Sequence, residues 1–225
     1  MQAQGSDHFG DVVIDEARLQ AKVAELGEHI TRDYAGKAPL LVAVLKGASL
    51  FMADLSRAIR LPVEFDFMAV ASYGSATKTS GVVRIVKDLD IDLTGRHVII
   101  VEDIVDSGLT LRFLRKNLLA RDPASLEVCA LIVKKGLQRD DPDLRYVGFY
   151  TGPDFLVGYG LDVAERYRNL PYLCTFIEKG DELPLGDRPS SRAHEEVEEP
   201  QREQLTSPMD ARAPRKVASA TKEGG

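Results

Sequence analysis

The sequence predicts an α/β fold on a mainly parallel, twisted sheet flanked by helices, and three features predict it. Short apolar runs recur at 40–45, 97–103 and 126–133, as in strands buried on both faces. Stretches with helical spacing alternate with them at 15–34, 48–59 and 109–120. Two of the runs end in polar residues, Lys46-Gly47 and Glu102-Asp103, at the carboxyl ends where such sheets bind ligands.

The first helix is predicted from Leu19, Val23, Leu26 and Ile30 on one face, with Gly36 closing the segment. "LLVAVL" (40–45) follows as a strand, and "ASLFMADLSRAI" as a helix with Leu50, Phe51, Leu55 and Ile59 inward. "VEFDFMAVASY" (63–73) alternates like a strand before the polar loop "GSATKTSG". Further strands are predicted at 82–86, 97–103, 126–133, 145–151 and 155–160, with a helix at 109–120 between the second and third of them. Composition changes near Gly180. The last 45 residues hold five of the eleven prolines and no aromatic residue. Such a segment buries too little surface to offset its ordering entropy. The expected division is a flexible N-terminus over 1–9, one domain over 10–182 and a disordered tail over 183–225.

With 225 residues, 44% of them hydrophobic, the chain can build one core and an appendage. Its net charge of −6 argues against a nucleic-acid partner, because polyanion binders carry a basic face. Any phosphate chemistry is therefore local. Cys129 and Cys174 lie far apart in apolar stretches and read as free thiols of a reducing compartment. The start has neither a basic nor an apolar leader region, and no apolar run reaches spanning length. A cytoplasmic protein without a membrane partner is expected.

The chemistry concentrates in "VIIVEDIVDSGLT" (98–110). A buried strand runs into Glu102, Asp103 and Asp106, charges that are costly there unless the site is wet or a cation compensates. Ser107, Gly108 and Thr110 then open a helix whose first amides lack internal partners, a cradle for one phosphate. An ordinary helix cap would explain Asp106 and Ser107. It would not explain Glu102-Asp103.

This segment resembles the phosphoribosyl-pyrophosphate signature of the type I phosphoribosyltransferases, and its Glu-Asp form resembles the hypoxanthine–guanine branch. "VLKGAS", "ASYGSATKTSG", and "LIVKKG" with "PDFLVGYGLDVAERYRNL" agree with it in the same order. The likeness covers about residues 10 to 180 and implies that fold, with a small hood region beside the main sheet. It implies that Glu102 and Asp103 face the ribose hydroxyls of the donor and its magnesium (Mg2+). Asp106 would be the general base near N7 of the purine. Asp106, Ser107, Gly108, Leu109 and Thr110 would wrap the 5′-phosphate, although many relatives carry a basic residue where Leu109 stands. Lys46-Gly47 would hold pyrophosphate, often through a non-proline cis peptide, and Ser72-Tyr73 would close over the donor as a flap. A surface lysine and a plain hairpin loop are the bland alternatives.

By the same likeness Phe155 would stack on the base, and the backbone near Leu156 would read its edge. Asp162 would bind a second magnesium beside the purine and pyrophosphate, and Arg168 would pair with pyrophosphate oxygens. Lys134, with Lys135 as the alternative, would donate to the exocyclic oxygen of a 6-oxopurine. The implied activity joins a free 6-oxopurine to phosphoribosyl pyrophosphate, within a homodimer or homotetramer. The rival reading is a non-catalytic sensor of phosphoribosyl pyrophosphate on the same fold; a pyrimidine transferase is a weaker one. "GYGLDV" lacks the third glycine of a dinucleotide fingerprint, and the scattered His and Cys residues offer no zinc set.

Overall fold

The computed structural model describes residues 8–75, 78–135, 144–177 and 197–200. Its elements in order are β1 (His8–Ile14), α1 (Glu16–Asp33), β2 (Leu40–Leu45), α2 (Ser49–Ala58), β3 (Glu64–Ser75) and β4 (Lys78–Lys87). Then come β5 (His97–Val105), α3 (Leu109–Leu119), β6 (Ser125–Lys134), β7 (Tyr146–Thr151), β8 (Leu156–Val157) and β9 (Leu173–Ile177). Six strands form one sheet in the order β4-β3-β2-β5-β6-β7, parallel except for β4. A separate antiparallel sheet, β1-β9-β8, forms the hood.

Strand alternation divides the core between the two faces of the large sheet. Leu41, Ala43, Ile99, Val101, Cys129, Leu131 and Phe149 pack against Leu19, Val23, Leu26 and Ile30 of α1 and Phe51, Met52 and Leu55 of α2. Leu40, Val42, Val98, Ile100, Val128 and Ala130 meet Leu111, Leu114 and Leu118 of α3 on the other. Burying each such side chain stabilises by about 1.5–3 kcal/mol, so the central strands read as unbroken apolar runs. Asp15 caps α1 by accepting the Arg18 amide at 2.8 Å. Both cysteines are buried and free. Among the described residues no helix is long and apolar enough to cross a membrane.

Several expectations need correction. Leu50, expected inward, is 39% exposed; the apolar face of α2 is carried by Phe51, Met52 and Leu55. The polar loop expected over 74–81 is largely strand, since Gly74 pairs with Thr79 and Ser75 with Lys78. Ladder hydrogen bonds come from the backbone and tolerate polar side chains. Ala76 and Thr77 lie outside the described residues. The strand expected over 155–160 is confined to Leu156–Val157, because Gly158, Tyr159 and Gly160 take positive φ values of 105°, 44° and 102°. The hood strands β1 and β9 had no expectation. β1 reaches back to His8, inside the N-terminus expected to be flexible. Val197–Pro200, inside the segment expected to be disordered, lie against the domain; the rest of that segment is outside the described residues.

A polar clamp ties the end of α1 to β7. Asp33 accepts from the Arg145 guanidinium and from the Tyr146 hydroxyl, at 2.8 and 2.9 Å, and the ion pair is almost fully buried. Removing one partner leaves the other charge buried, which costs about 3–5 kcal/mol. Asp33→Ala should therefore lower unfolding free energy by about 3 kcal/mol, seen as a lower denaturant midpoint at unchanged slope; a change under a few tenths would show that water replaces the carboxylate.

Candidate active site

The site is assembled where β2, β5 and β6 end, beside the loop between β8 and β9. β5 delivers Glu102 buried and Asp103 half-buried. Burial raises the proton affinity of Glu102 well above the carboxylate norm, and the adjacent charge of Asp103 adds to it. Burial also raises Asp103, opposed by the Ile104 amide at 2.8 Å and by the field of Arg168. Both carboxylates would be relieved by a nearby cation.

After β5 the chain turns through Asp106 and Ser107 into α3. Gly108 takes the helix N-cap position at φ 70°, a left-handed conformation suited to glycine, and itself has no side chain to cap the helix. Of the ordinary cap weighed as the bland alternative for Asp106 or Ser107, the structure shows one long bond, from the Leu109 amide to the Ser107 hydroxyl at 3.5 Å. A pocket of about 200 Å³ opens here, lined by Glu102, Asp106, Ser107, Gly108 and Thr110. Leu109 stands exposed at the helix start, outside that lining.

Lys46 and Gly47 follow β2, and the Leu45–Lys46 peptide bond is cis. Gly47 lies so close to the Asp103 carboxylate that no Cβ would fit, and Gly160 lies as close to the Gly47 carbonyl. The loop bearing Gly160 is moored by the Tyr159 hydroxyl, which donates to Asp54 at 2.5 Å. Lys46 Nζ and Arg168 Nη2 both reach the same oxygen, Oε2 of Glu165, at 3.1 and 3.2 Å. Arg168 also pairs with Asp162 at 2.8 Å and donates to the Gly160 carbonyl at 2.7 Å. Its Nε–H is buried without an acceptor among the described residues. Asp162 in turn accepts the Glu165 amide at 2.8 Å. Lys46, Gly47, Asp103, Asp162 and Arg168 therefore come together, while Asp162 and Arg168 engage each other.

On the other flank Lys134 is buried and donates to the Asp154 carbonyl. Burial lowers its proton affinity, opposed by the Asp106 and Asp154 carboxylates. Lys135 points elsewhere, to Glu198 at 3.2 Å. Phe155 is 56% exposed and meets Phe176 edge-on at 6.3 Å, whereas Leu156 is buried in β8 beside Thr175. Thr151, in register beside Lys134, has a buried hydroxyl without a partner among the described residues. The backbone of Ser72 and Tyr73 continues β3 opposite Val83 and Val82. Among the described residues no three His, Cys, Asp or Glu side chains form a metal cage.

Sequence reasoning missed the supports. Tyr159, Asp54 and Glu165 join segments distant in the chain, and no local pattern marks such contacts. Gly158 and Gly160 were visible in "VGYGLD" but were read as strand.

A family model described as phosphoribosyl transferase domain matches residues 14–164. The hypoxanthine-guanine phosphoribosyltransferase of Mycobacterium tuberculosis is 54% identical over 170 residues, covering 73% of this chain and 84% of its own. The hypoxanthine phosphoribosyltransferase of Escherichia coli is 45% identical over 172 residues, 76% of this chain and 97% of the relative. A crystal structure of a hypoxanthine-guanine phosphoribosyltransferase from Bacillus anthracis superposes with a TM-score of 0.71 at 45% identity, covering 76% of this chain and all of that one. The chain belongs to the phosphoribosyltransferase family, in its hypoxanthine–guanine branch.

Proposed function

We propose that the enzyme salvages purines, converting hypoxanthine or guanine and phosphoribosyl pyrophosphate into IMP or GMP and pyrophosphate. One observation carries the reading: Lys46 and Arg168, from separate loops, converge on a single carboxylate oxygen of Glu165. Two cations aimed at one anionic oxygen, next to half-buried Asp103, suit a group that leaves with negative charge. Glu165 holds that position here and would have to yield it to pyrophosphate. The sensor alternative is not favoured, since the relatives are named as transferases.

In this reading the α3 amides with Ser107, Gly108, Leu109 and Thr110 bind the 5′-phosphate. Absence of a basic side chain at Leu109 leaves that task to amides and hydroxyls. Ser72 and Tyr73 cover the donor and exclude water from a cation-like ribose. As the bond from C1 of the ribose to pyrophosphate breaks and the bond to N9 of the purine forms, Asp106 takes the proton near N7. Lys46, the Gly47 backbone and Arg168 stabilise the developing charge on pyrophosphate. Phe155 stacks on the base, the backbone at Leu156 reads its edge, and Lys134 donates to its oxygen.

Magnesium fits the donor set. Glu102, Asp103 and Asp162 would hold it, their carboxylate oxygens being ligands suited to a hard cation. When bound it supplies charge neutralisation to the polyanionic donor. Two buried free thiols suit a reducing, cytoplasmic setting. A homodimer or homotetramer is the assembly that the family likeness favours.

Three outcomes are expected. Asp106→Asn should lower kcat by about 10²–10⁴-fold with little change in donor affinity, measured by steady-state kinetics beside calorimetry; near-normal turnover would move the base elsewhere. Excess chelator should abolish turnover and added magnesium restore it, whereas full activity in chelator would release Glu102, Asp103 and Asp162 from the metal role.

The third outcome tests the function itself through a purine panel. The Lys134 ammonium can only donate hydrogen bonds, and adenine offers it an amino group where hypoxanthine and guanine offer oxygen. Sites built this way reject the wrong analogue by about 10⁴–10⁵, so kcat/KM should favour hypoxanthine over adenine on that scale. Lys134→Gln, able to accept as well as donate, should narrow the gap. Equal use of adenine and hypoxanthine would overturn the assignment of Lys134, and no turnover of any purine would overturn the enzyme reading.

A further inference from the structure

The outer edge of β7 closes the large sheet, and an edge strand offers unpaired backbone groups to any extended peptide. Val197–Pro200 occupy that edge. The Tyr150 amide donates to the Glu198 carbonyl at 2.8 Å, and the Glu198 amide donates back to the Tyr150 carbonyl at 3.1 Å. The two residues thus exchange both bonds, forming an antiparallel bridge. Val197 packs against the core on the α1 and α2 face.

Charge matches on both sides of this short strand. Glu198 meets Lys135 at 3.2 Å, and Glu199 meets Lys22 at 2.8 Å and Arg18 at 3.5 Å. Lys22 is almost wholly buried and also pairs with Glu25 at 2.7 Å. Arg18 and Lys22 both lie over the Phe149 ring, at 5.5 and 5.8 Å from its centre. A hydrophobic seat, a two-bond edge and three flanking cations together recognise an acidic peptide in extended form. Glycine and proline do not interrupt "VEE", and Pro200 follows it, a residue that cannot donate to a ladder.

We propose that the edge of β7, with Arg18, Lys22 and Lys135, is a docking surface for an acidic β-strand, and that its occupant is the chain's own Val197–Pro200. The segment acts as a strap. It covers the open sheet edge and braces Lys135 and Tyr150, the neighbours of Lys134 and Thr151 at the ends of β6 and β7. Edge-strand addition of this kind takes affinity from main-chain bonds and specificity from the side chains beside them.

Amide hydrogen exchange on the full-length protein tests this. Glu198→Pro deletes the N–H that bonds to the Tyr150 carbonyl, and Val197→Asp puts a charge into the apolar seat. In both variants exchange at the Tyr150 amide should quicken about tenfold, the scale of one net hydrogen bond with its packing. The amide of Val101 in β5 should stay protected, showing an intact core, and Glu203→Pro, beyond the strap, should leave Tyr150 unchanged. Protection in the parent chain should not vary on tenfold dilution. Unaltered Tyr150 exchange in both variants would overturn the strap, and loss of protection on dilution would assign the surface to a second copy instead.

Discussion

Glu102 and Asp103 impose the constraint around which the site is organised. A central parallel strand can bury apolar side chains on both faces, but two adjacent carboxylates at its end cannot be hidden in the same way. Burial pushes both toward the protonated form, with the charge of Asp103 adding to it at Glu102 and that of Asp162 at Asp103. The protein answers with geometry: Gly47 brings its backbone against Asp103, Gly160 follows behind Gly47, and Arg168 adds its field. Each step removes a side chain or places a cation. The corner is thereby kept small and electrically unfinished, the condition under which the proposed cation and phosphate-bearing ligand would bind together.

The close approaches explain why loops so far apart in sequence act as one unit. Gly47 comes from the end of β2, Asp103 from β5 and Gly160 from the hood side. No single segment has a reason to adopt its shape alone. Tyr159 and Asp54 moor the loop to α2, while the amides of 158–160 bond to the Leu161, Leu170 and Arg168 carbonyls and so fix its positive φ values. Hood and main sheet are joined at the proposed chemistry.

Much of this was legible in the sequence where a local pattern has a local cause. Continuous apolar runs gave β2, β5 and β6, because a strand buried on both faces has no polar side to show. Helical spacing gave α1 and α3 to within a residue or two. Glu102-Asp103 stood out because buried charge is expensive wherever it occurs. What escaped was set by tertiary contact. The β3–β4 hairpin is polar in sequence but extended in structure, since ladder bonds ignore side-chain polarity. The Tyr159 hydroxyl finds Asp54 across the fold, a contact that no local pattern marks. Val197 sits in a stretch whose composition resembles a solvated tail, and composition carries no information about a free sheet edge elsewhere that four residues can complete.

An acidic chain proposed to handle a polyanionic donor poses a contradiction until charge is considered by place. The net charge of −6 describes the whole molecule, whereas attraction is screened within about 8 Å at physiological ionic strength. Within that range the proposed pyrophosphate corner has Lys46 and Arg168, and the phosphate cradle has backbone amides that contribute partial charge without any basic side chain. Leu109 is informative in this respect. A basic residue at the start of α3 would add attraction for phosphate, but it would also add it for any other anion. Amides and hydroxyls reward only a ligand that reaches hydrogen-bond distance. In the proposed cradle selectivity would then come from fit, with the surrounding negative charge discouraging anions that cannot reach the amides.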